Sequence, residues 1–217
     1  MTLKFQKMIT RLCMPALLVT LCFSSTAAAN PNSLGVEVIP RQIKGVWYLP
    51  VKESAQAMGY KVKWNQQNKQ IEISKGANWT TVTIGKNAYF FAKMAPTELS
   101  APPMLLNGVS LVPVEFFPHI LKLNLSVVNN KYYLNGEEFA EHTGYIQKIE
   151  PGAQSKMVYI SAKDKTDNYE DMTILHVFAQ TLVQTELTPG KLITAQSPPI
   201  MALSLPGQTS ANIIFAP

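Results

Sequence analysis

The sequence is poor in cysteine. Its two cysteines, Cys13 and Cys22, both precede Asn30. Small extracellular folds that depend on disulfides are dense in cysteine, so residues 30–217 cannot form such a scaffold. A cysteine nucleophile is excluded from the same stretch. The fold must therefore be stabilised by ordinary hydrophobic cores.

Histidine is scarce as well. The three histidines, His119, His142 and His176, are far apart in the sequence, and no two of them form a His-x-His pair. A copper centre that needs several imidazoles is therefore not expected, although residues 168–170 read Asn-Tyr-Glu, similar to the quinone-forming motif of copper amine oxidases. The acidic cluster at residues 164–171 lacks the Asp-x-Asp-x-Asp-Gly order of a calcium loop.

The sequence offers little that would support hydrolysis. It has no Gly-x-Ser-x-Gly nucleophile elbow. Paired carboxylates for glycoside chemistry must lie about 5–10 Å apart in a cleft. The glutamates that could supply them show no favoured pair: Glu53, Glu98, Glu115, Glu137 and Glu138. We therefore predict that the protein is not an enzyme, and that it has no catalytic residues, no cofactor and no metal site.

The sequence also lacks a large excess of positive or negative charge. The net charge is +5, but three of the basic residues, Lys4, Lys7 and Arg11, lie within residues 1–29. Without them, 16 basic residues face 14 acidic ones, which leaves +2 and no basic run. Nucleic acid is excluded as a partner, because neutralising phosphates requires clustered cations.

Residues 1–29 have the order of a secretory signal peptide. A basic start is followed by an apolar run at residues 14–23 and by three alanines at 27–29. The run is shorter than the roughly 20 apolar residues that span a bilayer. We predict a signal peptide at residues 1–29, cleaved after Ala29, and a secreted or cell-wall associated protein. Membrane contact is expected only through this segment, before cleavage.

An internal repeat follows. Residues 45–51, Gly-Val-Trp-Tyr-Leu-Pro-Val, recur as Gly-Val-Ser-Leu-Val-Pro-Val at residues 108–114, an offset of 63. Each copy predicts a strand, a helix and a second strand, with Pro50 suited to the start of the first helix and Gly59 to its end. In the second copy, Pro118 predicts a short or distorted helix over residues 116–123.

These motifs carry a family resemblance. Tyr-Leu-Pro-Val at 48–51, Met-Gly-Tyr at 58–60, Ala-Pro-Pro at 101–103 and residues 107–114 resemble the copper amine oxidase N-terminal-like domain, or stalk domain, over about residues 35–136. The resemblance implies a small α+β module that is added to exported proteins of Gram-positive bacteria. It implies neither copper nor amine oxidation, because the stalk lies outside the catalytic domain of those oxidases.

The rest of the chain shows short strand signals separated by turn residues. Polar residues 137–143 follow the first unit, and six strand signals then fall between residues 145 and 215. We predict a stalk domain at residues 30–137 and a small, OB-like β-barrel domain at residues 144–217. The fold class is therefore α+β, with two strand-helix-strand repeats followed by the barrel. Residues 197–211 are also similar to C-terminal β-modules of uncharacterised secreted Gram-positive proteins, which implies no activity.

Aromatic residues concentrate in the first unit, and stacked aromatic faces can bind sugar rings. Tyr48, Tyr60, Val62 and Trp64 have the spacing of a core face, and most of them are expected in the core. Trp47 and Trp79 are predicted to be exposed and are the candidate ligand contacts. The predicted function is a non-catalytic, extracytoplasmic binding or scaffold protein of the bacterial cell envelope. Its expected partner is a cell-wall polymer or an envelope protein, and its oligomeric state stays open.

Two alternatives remain. The chain could be an accessory or inhibitor protein of an exported wall hydrolase, or a weak envelope hydrolase itself. An inhibitor would be recognised by an exposed apolar patch or a long presented loop, for which residues 91–106 are the candidate. A hydrolase would need a cleft in which a nucleophile or two acids converge.

Overall fold

The computed structural model describes residues 34–217, and the predicted signal peptide, residues 1–29, lies outside the described residues. The described chain is mostly β, with seventeen strands and two short α-helices. In chain order the elements are β1 (Val36–Val38), β2 (Arg41–Ile43), β3 (Val46–Pro50), α1 (Val51–Ala57), β4 (Lys61–Asn65), β5 (Gln70–Lys75), β6 (Asn78–Thr83), β7 (Met104–Leu106), β8 (Val109–Pro113), α2 (Phe116–His119), β9 (Asn124–Val128), β10 (Lys131–Asn135), β11 (Ala140–Pro151), β12 (Lys156–Ser161), β13 (Met172–Val177), β14 (Leu182–Val183), β15 (Leu192–Ser197), β16 (Gly207–Ser210) and β17 (Ile213–Phe215).

Three small sheets build the first half of the chain. Their strand orders are β2-β3-β8-β7, β4-β5-β6 and β1-β10-β9. Strands β3 and β8 are antiparallel, and Leu49 pairs with Val112, its counterpart in the second copy of the repeat. The two similar sequence segments therefore meet at the centre of one sheet, related by a local twofold arrangement.

Local chemistry explains where the helices begin and end. Pro50 has φ −62°, which its ring fixes, and α1 follows it directly. Gly59 has φ +80°, a conformation that L side chains rarely adopt, and the chain there turns into β4. Helix α2 has only four residues and contains Pro118, so it is short, as predicted.

The second half forms one seven-stranded sheet with the order β14-β17-β15-β11-β12-β13-β16. Among the described residues its end strands, β14 and β16, do not pair, so the sheet is a half-barrel and the predicted closed, OB-like barrel is not confirmed. Part of the polar segment 137–143 belongs to β11, which begins at Ala140.

One hydrophobic core spans both halves. The largest buried cluster contains Leu49 and Phe116 from the first half together with Leu182, Ile213 and Phe215 from the second. Strand β17 alternates between two cores, since Ile213 and Phe215 join this cluster whereas Ile214 packs with the half-barrel's own core. A strand that is buried on both faces reads as a continuous apolar run, as β17 does.

No helix among residues 34–217 combines the length and the apolar character that crossing a membrane requires.

Candidate functional site

An exposed apolar loop stands out on the second half. Residues 198–206, which we call the apolar loop, connect β15, inside the seven-stranded sheet, to β16 at its edge. Leu203 has an exposed fraction of 107%, Ile200 of 79% and Leu205 of 70%. Single exposed apolar residues are common, but several in one short segment mark an interaction surface.

Hydrogen bonds hold this loop in shape. The backbone N–H of Ala202 donates to the carbonyl oxygen of Gln208 over 2.7 Å. The hydroxyl of Thr209 donates to the carbonyl oxygen of Ile200 over 3.1 Å, and the hydroxyl of Ser204 donates to that of Pro206 over 2.6 Å. The loop is therefore tied to β16 on one side and to itself on the other.

The base of the loop is closely packed. A Cβ built on Gly207 would lie 2.5 Å from Sδ of Met201. Because glycine has no side chain, Met201 can pack directly against the backbone of Gly207. Pro206 and Thr209 are buried beside it. The exposed residues thus project from a packed base.

The surroundings of the loop in sequence are uncharged. No Asp, Glu, Lys or Arg occurs in residues 192–217. Burying this segment against another molecule therefore requires no desolvation of a charge from the segment itself, which is the larger cost in polar interfaces.

The sequence does not predict this loop, because residues 201–205 supply one of the six strand signals between residues 145 and 215. They instead form bends around a single bridge, between Ala202 and Gln208. Proline supplies the signal that could have identified it. Residues 198, 199 and 206 are prolines, and a segment with proline at both ends is unsuited to a central strand.

The two predicted contact residues differ in exposure. Trp79, at 44% exposed, lies on β6 and packs edge-on against Phe90, with ring centroids 5.5 Å apart. Trp47 is half-buried and packs against the large core. Its backbone N–H donates to Oε1 of Gln184 over 2.7 Å, and its carbonyl accepts from Nε2 of the same residue over 2.9 Å. The two tryptophans thus occupy separate places.

Of the four residues with the spacing of a core face, Tyr48 and Tyr60 are buried and Val62 packs against the core, whereas Trp64 is 42% exposed. Trp64 lies on the same face of the sheet as Ile71 and Ile73 of β5, which are buried. Strand β4 is at the edge of that sheet, so solvent reaches the face at Trp64. There Trp64 lines a groove of about 340 Å³ together with Lys52, Val62, Gln66, Ile71, Leu105, Gly108 and Ser110.

The segment predicted as a presented loop, residues 91–106, is partly tied to the fold. Asn87 exchanges two hydrogen bonds with the backbone of Leu99, and the Tyr89 hydroxyl donates to the carbonyl of Ala101 over 2.9 Å. Met94 is exposed at 68%, and Leu105 is exposed beside the groove. The segment thus exposes Met94 and, on β7, the adjacent Leu105 and Leu106, which are less exposed than Leu203.

The histidines lie in three different environments. His142 contacts the hydroxyl of Ser197 over 3.0 Å, and His176 lies between Ser155 and Gln208. His119 packs edge-on against Phe215, and burial, reinforced by Lys122, lowers its pKa. Within residues 34–217 no group of three His, Cys, Asp or Glu side chains could hold a metal ion.

The Asn-Tyr-Glu segment lies in an exposed 3-10 helix, Tyr169–Asp171, which Asn168 caps. Tyr169 is 48% exposed, and its hydroxyl accepts a hydrogen bond from Nζ of Lys148 over 2.8 Å. The same ammonium lies over the rings of Tyr159 and Tyr169 and donates to Glu150. Hydrogen bonds from Lys148 and Tyr159 lower the pKa of Glu150. Tyr169 therefore belongs to a surface network of polar and cation–π contacts centred on Lys148.

Comparison with known proteins supplies a family and a relative. Residues 29–134 match the profile of the copper amine oxidase N-terminal domain family. A protein named protease inhibitor, from Brevibacillus choshinensis, is 32% identical over 178 residues, which covers 76% of this chain and 53% of that protein. The chain spans about half the length of this curated relative. No solved structure matches the chain.

Proposed function

Residues 29–134 form a domain of the copper amine oxidase N-terminal domain family. From this premise we propose that the protein is non-catalytic and that it binds and inhibits a protease. The observation that carries the proposal is the apolar loop, which projects Ile200, Leu203 and Leu205 from a hydrogen-bonded base. The name of the relative from Brevibacillus choshinensis, protease inhibitor, supports the same function.

The shape of the loop suits a protease as partner. A protease binds substrate in a concave cleft, and a convex, apolar, uncharged loop is complementary to such a cleft. A loop that is already fixed by hydrogen bonds loses little conformational entropy on binding, which raises affinity. Complexes of proteases with their inhibitors typically bury about 800 Å² on each partner, with little backbone movement.

The proposal is tested by inhibition assays with the purified chain. Serine, cysteine and metallo-endoproteases are each titrated with it, and residual hydrolysis of a peptide substrate is followed. We expect stoichiometric loss of activity in at least one class, and a complex that survives gel filtration. Rapid digestion of the chain by every protease, with no loss of peptidase activity, would exclude an inhibitory function.

A matched variant tests whether the loop is the contact surface. Replacing residues 199–205 with a Gly-Ser segment of equal length removes the exposed apolar groups while leaving β15 and β16 in place. This variant should keep the circular dichroism spectrum of the parent and lose inhibition. Unchanged inhibition would assign the contact to another surface of the chain.

The extracytoplasmic location belongs to the same proposal. The basic start, the apolar run and the three alanines of residues 1–29 support export, and an exported protease is the matching partner. Mass spectrometry of the protein recovered from culture medium should give an N-terminus at Asn30. Recovery only in the cytoplasm, with Met1 retained, would contradict it.

Binding to a cell-wall polymer or an envelope protein is a second candidate function, favoured by the exposure of Trp79 beside Phe90. Sugar rings stack on exposed aromatic faces. Co-sedimentation with insoluble wall material should be saturable and should weaken in W79A. The matched control is W64A, which removes a tryptophan of similar exposure at another site.

The finer organisation of the fold is also part of the proposal. The elements β3-α1-β4 and β8-α2-β9, together with the pairing of Leu49 with Val112, support an internal strand-helix-strand repeat. The division into units at residues 30–137 and 144–217 is supported by the separate seven-stranded sheet.

A further inference from the structure

We infer that Leu203 is the side chain that enters the primary specificity pocket of the protease, and that this protease has an apolar pocket that selects large hydrophobic residues. The inference rests on the proposed function and names the chemical class of its partner.

Leu203 lies at the tip of the apolar loop. The backbone N–H of Ser204 donates to the carbonyl oxygen of Ala202 over 2.9 Å, which closes a three-residue turn centred on Leu203. Leu203 therefore lies at the outermost point of the turn. The exposed fraction of Leu203, 107%, exceeds that of any other large apolar residue described.

The energetics favour insertion of this side chain into a pocket. Transfer of a fully exposed leucine side chain from water into an apolar environment is favourable in proportion to the apolar area that is removed from water. Leu203 makes the whole of that contribution available, because it buries little surface on its own chain. Residues that dominate interface energetics are those that fill a pocket of the partner.

The neighbours of Leu203 hold its backbone on both sides. The backbone N–H of Ala202 donates to Gln208 in β16, and the hydroxyl of Ser204 donates to Pro206 within the loop, so the residue on either side of the tip has a hydrogen bond of its own. These bonds oppose the rearrangement that a protease needs to distort the loop towards a transition state. The same bonds explain how a loop with an attractive leucine can bind without being cleaved rapidly.

Other exposed apolar residues do not have this geometry. Leu105 and Leu106 lie on strand β7, paired with β8, and Leu105 lines the concave groove beside Trp64. Met94 lies in the segment 91–106, apart from other exposed apolar groups in sequence, and Ile39 lies between β1 and β2. The apolar loop is therefore the part of the described chain best shaped to enter a cleft.

The test uses the full chain, two proteases and four single variants. Chymotrypsin has a hydrophobic primary pocket and trypsin has an acidic one, so they report on the side chain that enters. The wild-type chain should inhibit chymotrypsin more strongly than trypsin. L203A should weaken inhibition of chymotrypsin at least ~30-fold, as expected for a pocket-filling residue. L203D should abolish it, and L203R should shift inhibition to trypsin.

The control is L105A, which removes an exposed leucine elsewhere and should change the inhibition constant less than twofold. Urea denaturation of each variant verifies folding. If the wild-type chain inhibits neither these enzymes nor any protease of the broader panel, the proposed function fails. If it inhibits but L203A and L203D stay within twofold of wild type, only the assignment of Leu203 fails. Gel-filtration dimers that disappear in L203D would assign the loop to self-association and overturn the inference.

Discussion

Nε2 of Gln184 donates a hydrogen bond to Oε2 of Glu115 over 2.5 Å, and both residues are buried. Oε1 of Glu115 accepts from the backbone N–H of Ser100 over 2.8 Å. Gln184 also bonds both backbone groups of Trp47. One buried carboxylate and one buried amide thus connect the seven-stranded sheet to β3 and to the loop before β7.

Substituting alanine for Glu115 should destabilise the protein. E115A leaves the Ser100 N–H without an acceptor and leaves Nε2 of Gln184 with one acceptor of its two, the carbonyl oxygen of Trp47. A hydrogen bond to a carboxylate contributes about 1.5–3 kcal/mol. We expect the free energy of unfolding in urea to fall by about 2–4 kcal/mol. The exposed Glu98 supplies the control, since E98A should change stability by less than about 0.5 kcal/mol. Equal effects of the two variants would contradict the importance of this contact.

Truncation of Phe215 should weaken both halves together. Its side chain is 1% exposed and lies in the core cluster that also contains Leu49 and Phe116. F215A should lower the free energy of unfolding by about 3–5 kcal/mol, the usual cost of emptying such a site. Near-UV circular dichroism and intrinsic tryptophan fluorescence should report one shared transition. L203A, a truncation at the exposed loop tip, is the control and should leave stability unchanged.

Removing the Thr209 hydroxyl, which donates a hydrogen bond to the carbonyl of Ile200, should make the apolar loop more mobile without unfolding the sheet. T209V keeps the size of the side chain and deletes the 3.1 Å hydrogen bond to the carbonyl of Ile200. We expect faster amide hydrogen exchange at Ala202 and faster cleavage within residues 198–206, with little change in global stability. Equal rates of amide hydrogen exchange in T209V and wild type would show that the remaining hydrogen bonds, those of Ala202 and Ser204, are enough to hold the loop.

Stability should decline as the pH falls below about 6.5. Burial lowers the pKa of His119, with Lys122 acting in the same direction and Glu141 and Glu115 opposing it, and burial lowers the pKa of His142. A histidine whose folded pKa lies below its unfolded value binds a proton more readily after unfolding. The stabilisation is therefore complete above the unfolded pKa and is lost as pH falls towards the folded one.

Urea denaturation at about pH 7.5 and about pH 5.5, on either side of the ordinary histidine pKa, measures this effect. The double variant H119Q/H142Q should show a smaller difference between the two pH values than wild type. The carboxylates with lowered pKa values, those of Glu150 and Asp171, lose their contribution only at lower pH. An undiminished difference in the double variant would assign the pH dependence to other groups.

Local features of the fold could be predicted from sequence. Pro50 and Gly59 set the limits of the first helix because proline fixes φ and glycine tolerates positive φ, and both effects act on the immediate neighbours in the chain. Pro118 likewise predicted the short second helix. The family resemblance was confirmed by the match over residues 29–134.

Features that depend on distant strands could not be predicted. The half-barrel differs from the expected OB-like barrel because strand order is decided by long-range pairing, such as that of β13 with β16. Trp64 has the periodicity of a core residue, but its exposure follows from the edge position of β4, which periodicity does not encode. The apolar loop has the composition of a strand. It differs from a strand in the prolines at its two ends, residues 198, 199 and 206.

The large shared core has a consequence for the order of folding. Val38, near the beginning of the described chain, and Phe215, near its end, belong to one buried cluster. Contacts at such sequence separation are closed late, because the entropy of the intervening chain must be lost first. A nascent polypeptide synthesised only as far as β16 would still lack Ile213 and Phe215, so its first half would have an unfilled interior. The core of the first half is therefore complete only when strand β17 has docked.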